Sequence, residues 1–193
     1  MIIVFGGAFN PPTNAHLAIY DILKKTYQPS RMLFLPVGDM YHKTDLASCH
    51  HRLAMLKLLF ENEPSVDVLS LECDQETFKG TFHSLNHLQK HYSEPLVYVI
   101  GADHLEGLKH WLNADRLIKQ YRFIVLNRGQ KDLERIIQED AWLQQHKARF
   151  ELVSHVDFPL AATDYRAHRQ LGVVPARIEA YIKTHQLYTK EVR

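Results

Sequence analysis

From Gly6 to His16 the chain reads Gly-Gly-Ala-Phe-Asn-Pro-Pro-Thr-Asn-Ala-His. Types and spacing here suit the binding of an anion. Gly6 and Gly7 let main chain approach a ligand with no Cβ in the way. Pro11 and Pro12 stiffen the exit of the loop. Thr13 or Asn14 can cap a helix, and His16 then falls in its first turn, its ring able to face the same anion. Before the loop comes Ile2-Ile3-Val4-Phe5, an apolar run that reads as a buried strand. After it, residues 17–25 read as a helix. Strand, glycine turn and helix together offer main-chain N–H groups and the positive end of a helix dipole to a phosphate. Gly6, Gly7, Ala8, Phe9, Asn10 and His16 are therefore the candidate phosphate-binding set, with Thr13 beside them. The loop has no Gly-Lys-Thr/Ser, which sets aside the P-loop, and no G-x-G-x-x-G, which sets aside the redox dinucleotide fingerprint. The plainer alternative is a glycine-proline turn beside a capped helix with a surface histidine; the four residue types in one register disfavour it.

Other stretches gain meaning only beside this one. Gly101-Ala102-Asp103 directly follows a strand-like run, and a carboxylate there can accept from ribose hydroxyls or simply cap the next helix. Trp111, eight residues on, is a core residue or a stacking surface. Near a helix start in 161–166, Thr163 caps or donates to a phosphate, and Arg166 can fork onto phosphate oxygens. Thr81 follows Gly80 at another helix start, where a cap explains it equally well. Lys43 and Arg128 sit in loops and read as solvated cations unless a substrate needs them. The remaining histidines show no ligand spacing, so no metal site is assigned.

The elements that must position these residues alternate along the chain. Strands are expected at 32–37, 66–71, 96–100, 123–126 and 150–153. Helices are expected at 52–60, with Ser48 as cap, and at 83–92, 105–117 with a break near Asn113, 133–145, 165–170 and 175–185. Alternation of this kind implies βαβ units and a parallel sheet. The fold class expected is α/β: a Rossmann-like parallel sheet with helices on both faces and a short C-terminal helical segment from about residue 160, in a single domain spanning 1–193. Ligands of such sheets gather at the carboxyl ends of the strands.

Composition bounds the partners. The formal net charge is +1, so no bulk electrostatic pull toward nucleic acid or membrane is implied. No apolar run is long enough to span a bilayer and no charged leader precedes the first strand, which makes a cytoplasmic setting the expectation. Cys49 and Cys73 have neither metal nor redox spacing, and a reducing compartment fits them. A homo-oligomer stays open.

Residues 7–16 resemble the G-x-F-x-P-x-[H/T]-x-x-H signature of the nucleotidyltransferase superfamily, and from end to end the chain resembles the bacterial nicotinate mononucleotide adenylyltransferases. His42-Lys43 followed by Arg52 and Met55 is similar to that family's P-H-K…R-x-x-M-L. Thr81 to Leu85 is similar to its T-x-x-T-L, and Gly101-Ala102-Asp103…Trp111 to its G-x-D…W. Residues 161–166 align with its S-S-T-x-x-R, and Val174-Pro175…Tyr181-Ile182…Leu187-Tyr188 with its closing V-P…Y-I…L-Y. Departures are Asn10 for Asp, Thr13 for His, Ala15 for Gly, Ala161 and Ala162 for Ser, Gly80 for an aromatic, and Leu112 for an aromatic or His.

The resemblance implies adenylyl transfer from ATP to nicotinate mononucleotide, giving deamido-NAD and pyrophosphate. It implies that His16 and Thr13 hold the α- and β-phosphates, that Arg166 and Thr163 hold the β- and γ-phosphates, and that Gly101 and Asp103 address adenine and ribose. Thr81 and Trp111 are expected to face the nicotinate end, with Lys43 and Arg128 as further substrate contacts. Magnesium (Mg2+) is expected to ride on ATP. The alternatives are the same chemistry on nicotinamide mononucleotide, phosphopantetheine or a cytidylyl acceptor, and a non-catalytic nucleotide-binding protein. A redox dehydrogenase is disfavoured by the missing glycine fingerprint.

Overall fold

A computed structural model describes residues 1–41, 45–127, 131–154, 162–168 and 172–189, together with the main chain but not the side chain of Asp164. Strands and helices alternate along it as the apolar periodicity requires. The order is β1 (Ile2–Gly7), α1 (Asn14–Tyr27), β2 (Arg31–Pro36), α2 (Cys49–Leu59), β3 (Val66–Val68), α3 (Thr81–Leu88) and β4 (Leu96–Gly101). Then follow α4 (Ala102–Leu105), a 3-10 turn (Leu108–His110), α5 (Ala114–Gln120), β5 (Arg122–Leu126), α6 (Leu133–Glu139), α7 (Ala141–Gln145), a second 3-10 turn (Lys147–Arg149), β6 (Phe150–Val153), α8 (Ala162–His168) and α9 (Ala176–Thr184).

The six strands form one sheet in the order β3-β2-β1-β4-β5-β6. The β1–β4, β4–β5 and β5–β6 pairs are parallel, with Ile3 opposite Val97, Val99 opposite Ile124 and Val125 opposite Leu152. This is the Rossmann strand order, which reverses direction between β1 and β4. β4 is buried along its whole length, as an uninterrupted apolar run in a parallel sheet should be. Gly7 in β1 and Gly101 in β4 close the two strands that flank the reversal.

Two compact units divide the described residues. The first comprises Met1–Gly6, Pro29–Leu33 and Thr77–Asp157; the second comprises Gly7–Gln28, Phe34–Glu76 and Phe158–Arg193. In the first, the core runs through β4 and β5, with Tyr98 edge-on to Phe123 and Leu117 and Ile118 of α5 fully buried. In the second, Phe34 and Phe60 lie with ring centroids 4.3 Å apart, joined by Tyr20 and Phe9. Here α2 packs on α9: His51 Nδ1 lies 3.0 Å from the Tyr181 hydroxyl. Burial, then the nearby His185 and His50, hold the His51 imidazole below the usual histidine range.

Several expected elements are corrected. The break expected near Asn113 is present, where that residue adopts a left-handed conformation with φ 59°, but the stretch before it is itself divided into α4 and a 3-10 turn that ends at the extended Trp111. The 133–145 helix breaks at Asp140, whose carboxylate accepts from Trp142 N and Leu143 N and starts α7 afresh. The strand expected at 66–71 is only Val66–Val68, and the helix expected at 83–92 begins at Thr81 and ends at Leu88. The two cysteines, read as unconnected, are joined as a Cys49–Cys73 disulfide with Cα atoms 5.7 Å apart. Their separation of 24 residues in sequence carried no local signal of this.

Candidate active site

The second unit holds the N-terminal loop. Phe9 takes a positive φ of 47° and is buried, its ring 5.1 Å from that of His16 and 5.7 Å from that of Phe34. The Asn10–Pro11 peptide is cis. Thr13 occupies the N-cap of α1, and the helix start is closed by a reciprocal pair of unusual composition. Thr13 N–H donates to His16 Nδ1 at 2.9 Å, and Thr13 Oγ1 lies 2.8 Å from the same nitrogen. An imidazole nitrogen that accepts from a main-chain N–H cannot itself carry the proton, so the neutral ring carries it on Nε2. His16 is half-buried, and in this tautomer its Nε2 is a donor. Thr13 is 1% exposed, so its hydroxyl serves the His16 ring. The first turn of α1 has no acidic residue and the last has Lys24 and Lys25, which leaves the positive end of the dipole unneutralised by the helix's own side chains.

Beneath the loop lies a residue that the sequence reading did not place in the site. Arg52 is 0% exposed. Its Nε donates to Ala47 O at 2.8 Å, its Nη1 to Ala8 O at 3.1 Å and its Nη2 to Asp39 Oδ1 at 2.8 Å. It therefore ties the loop to α2 and to the segment after β2. A signal for it existed: Cys49, Arg52, Met55, Leu56 and Leu59 form the buried face of α2, and a cation within such a face must be paired. Asn10, 3% exposed, is held on both ends of its amide. Arg166 on α8 donates through Nη1 to Asn10 O, which brings this guanidinium to the loop. Thr163 is exposed on the same helix.

In the first unit, Gly6 has a reason beyond ligand approach: a Cβ there would run into the Tyr98 hydroxyl. Gly7, which belongs to the second unit, has a milder version of the same constraint, since its Cβ would lie 3.2 Å from the Phe9 ring. Gly101 is the N-cap of α4. Asp103 stands exposed on that helix, 3.6 Å from His104 Nε2. Trp111 lies edge-on to Tyr98, at 6.4 Å between centroids, and to His104, at 5.8 Å. Thr81 is the first residue of α3, after Gly80 at φ 81°. A Cβ on Gly80 would lie 2.9 Å from Leu112 Cβ, so the leucine side chain occupies the space over the glycine. Leu112 is 52% exposed. Lys109 Nζ, in the same stretch, pairs with Asp140 Oδ2 at 2.6 Å. Lys43, Arg128 and Ala161 lie outside the described residues.

The structure thus brings His16, Thr13, Asn10 and Arg166 together within one unit, and Gly101, Asp103, Thr81 and Trp111 belong to the other. At the start of α1 the Asn14 N–H donates to Val173 O, the His16 N–H to Thr13 O and the Thr13 N–H to the His16 ring, so the groups that suit phosphate oxygens are the imidazole and the Arg166 guanidinium. Among the described residues no group of three or more His, Cys, Asp or Glu side chains could hold a metal ion.

Comparison with known proteins agrees with this chemistry. The model of the cytidylyltransferase-like family matches residues 4–185. A relative from Acholeplasma laidlawii named nicotinate-nucleotide adenylyltransferase is 32% identical, covering 97% of this chain and 97% of its own. One of the same name from Thermomicrobium roseum is also 32% identical, covering 96% of this chain and 90% of its own. The crystal structure of Plasmodium falciparum nicotinic acid mononucleotide adenylyltransferase complexed with NaAD superposes with a TM-score of 0.79. At 17% identity, covering 100% of this chain and 98% of that one, it supports the fold. With a loop built to donate to phosphate, a Rossmann strand order and relatives of this kind along nearly its whole length, the chain belongs to the cytidylyltransferase-like proteins and, among them, to the nicotinate-nucleotide adenylyltransferase family.

Proposed function

We propose that this protein transfers the adenylyl group of ATP to nicotinate mononucleotide, forming deamido-NAD and pyrophosphate in NAD biosynthesis. An oxygen of the mononucleotide phosphate attacks the α-phosphorus of ATP in line. The new P–O bond forms as the bond from that phosphorus to the bridging oxygen breaks, and pyrophosphate leaves with the electron pair. No covalent bond to the protein is needed, so catalysis consists of positioning and of stabilising the charge that develops on the phosphate oxygens. The observation that carries this reading is the start of α1, where the Thr13 N–H donates to His16 Nδ1 and so orients the ring, with the Arg166 guanidinium brought to the same loop.

In this reading His16 addresses the α- and β-phosphates, with Thr13 as the residue that sets its ring. Arg166 and Thr163 address the β- and γ-phosphates. Gly101 and Asp103 serve adenine and ribose, and Thr81 and Trp111 the nicotinate end. Neutral and cationic donors suit phosphate oxygens and not a bare cation, so magnesium arrives on the triphosphate. No helix among the described residues is long and apolar enough to cross a membrane. The proposal places the enzyme in the cytoplasm, where ATP is at hand.

Acceptor choice is the sharpest test. A carboxylate only accepts hydrogen bonds, whereas a carboxamide also donates. We infer an acceptor pocket in which the Thr81 hydroxyl and main-chain N–H groups donate, which favours the acid, and buried groups left unpaired can discriminate by ~10⁴ or more. We expect kcat/KM for nicotinate mononucleotide to exceed that for nicotinamide mononucleotide by at least about tenfold at one ATP concentration. Equal values, or a higher value for the amide, would overturn the acceptor assignment and leave adenylyl transfer standing. No pyrophosphate release with either would overturn the reaction.

A further inference from the structure

Asn10 makes a set of bonds that an amide satisfies and a carboxylate does not. Its Nδ2 donates to Asp45 O at 2.7 Å. Its Oδ1 accepts from Ala47 N at 2.9 Å and from the Tyr188 hydroxyl at 2.8 Å. Turning the amide over would set NH₂ against the Ala47 N–H and carbonyl against carbonyl at Asp45, so the neighbours fix its orientation. Both lone pairs of Oδ1 are used within the protein. This side chain therefore acts on the loop that carries it and leaves contact with the nucleotide to others. Its main-chain carbonyl accepts from Arg166 Nη1, so the 45–47 segment, α8 and the turn after α9 all converge on one residue.

We propose that Tyr188 is a positioning residue for adenylyl transfer, acting through Asn10, and that this loop requires an amide at position 10 and is impaired by a carboxylate there. The proposal rests on the function given above. Removing the Tyr188 hydroxyl leaves one lone pair of a buried oxygen without its donor. Replacing the amide with a carboxylate of the same shape does more: it removes the donor to Asp45 O and sets two oxygens against each other. A protonated carboxyl group restores the pattern, since its O–H donates to Asp45 O while its carbonyl still accepts from Ala47 N and Tyr188. The charged and titratable groups around the position are the Arg166 guanidinium on Asn10 O, the Tyr188 hydroxyl, the exposed Asp45 whose carbonyl takes the amide, and the Arg52 guanidinium on Ala8 O and Ala47 O with its partner Asp39. Both guanidinium groups are already engaged with main-chain carbonyls and keep those bonds when position 10 takes up a proton. The demand for an amide comes from the Asp45 carbonyl, since Ala47 N and the Tyr188 hydroxyl donate equally well to an amide or a carboxylate oxygen.

The test measures steady-state kinetics with ATP and nicotinate mononucleotide, and thermal midpoints, for the parent, Tyr188→Phe and Asn10→Asp between pH 8 and pH 6. Tyr188→Phe should lower kcat by about threefold to tenfold, the loss expected for one buried hydrogen bond, with KM for the mononucleotide unchanged. Asn10→Asp should lower kcat/KM by more than about tenfold at pH 8, and its ratio to the parent should rise at least about threefold on going to pH 6. The thermal midpoint of Asn10→Asp, relative to the parent, should rise over the same interval. That midpoint is read even if the variant is too unstable to assay, or if the parent forms no dinucleotide and the functional reading itself fails. Parent-like kinetics for Tyr188→Phe would overturn the positioning role. An Asn10→Asp variant as active as the parent at pH 8, or one whose ratio and relative midpoint do not change with pH, would overturn the amide requirement.

Discussion

The N-terminal loop and the stretch from Gly101 to Asn113 each follow a strand of the same parallel pair, yet they are built in opposite ways. In the loop the polar groups are spent on the protein: Asn10, Thr13 and Arg52 are all buried and bonded. The later stretch is a run of helical fragments with Asp103, His104, Lys109 and Leu112 on the surface. A loop fixed by its own bonds gains no further order when a phosphate arrives, which is what charge stabilisation in a transition state requires. Exposed side chains on short helical pieces can be exchanged at little cost to the fold. The difference teaches that two loops following neighbouring strands can divide the work, one held rigid by buried bonds and the other left open to change.

Three measurements break or sharpen this contrast. The largest effect is expected at His16, the side chain that the proposed function sets against the α- and β-phosphates. His16→Ala should lower kcat by about 10²–10³, the usual cost of removing a donor aimed at developing charge, while the protein stays folded. Near-normal turnover by a folded variant would remove His16 from the mechanism. Next comes Arg52→Met, which fills much of the same volume and leaves Ala8 O and Ala47 O without donors. It should cost about 2–3 kcal/mol in denaturant unfolding, and a loss below about 0.5 kcal/mol would mean that the loop is not held from beneath.

The smallest effect belongs to the other region. Lys109 bonds to Asp140, which with the main-chain N–H groups of Leu143 and Trp142 holds this carboxyl below the usual carboxylate range. A depressed carboxyl contributes stability that is present above the ordinary carboxylate pKa and is lost as pH falls through the lower folded value. Asp140→Ala should cost about 1 kcal/mol at neutral pH, and the gap to the parent should narrow as pH drops below the ordinary carboxylate range. Activity at neutral pH should change little. A gap that widens on acidification would contradict the pairing.

The loop was legible because its signals are local. An apolar run, two glycines, a proline pair, a capping threonine and a histidine three residues later each constrain their own neighbourhood, and together they place β1 and α1. After β4 the break near Asn113 was legible, whereas the separation of α4 from the 3-10 turn at Leu108–His110 was not, because residues 105–112 satisfy a helical apolar spacing. Asp140 concealed a second helix start within what reads as one helix, since a capping side chain and a solvated one look alike in sequence. Arg52 lay inside a recognised motif, but its role depends on Ala8 and Ala47, which only the folded chain brings to it. The Cys49–Cys73 bond joins positions whose closeness is likewise a property of the fold.

Leu112 over Gly80 bears on how this chain can change over time. Both positions depart from the pattern that the chain resembles, and they look like two independent substitutions. The contact makes them one: a side chain at position 80 would need the room that the leucine holds, on a backbone whose φ of 81° already disfavours any Cβ. Reversion at 80 is thus barred until position 112 shortens and the main chain relaxes, whereas Leu112 can vary alone because it faces water. The order of steps is fixed in one direction, so lineages carrying the glycine should diversify at 112 while 80 stays still.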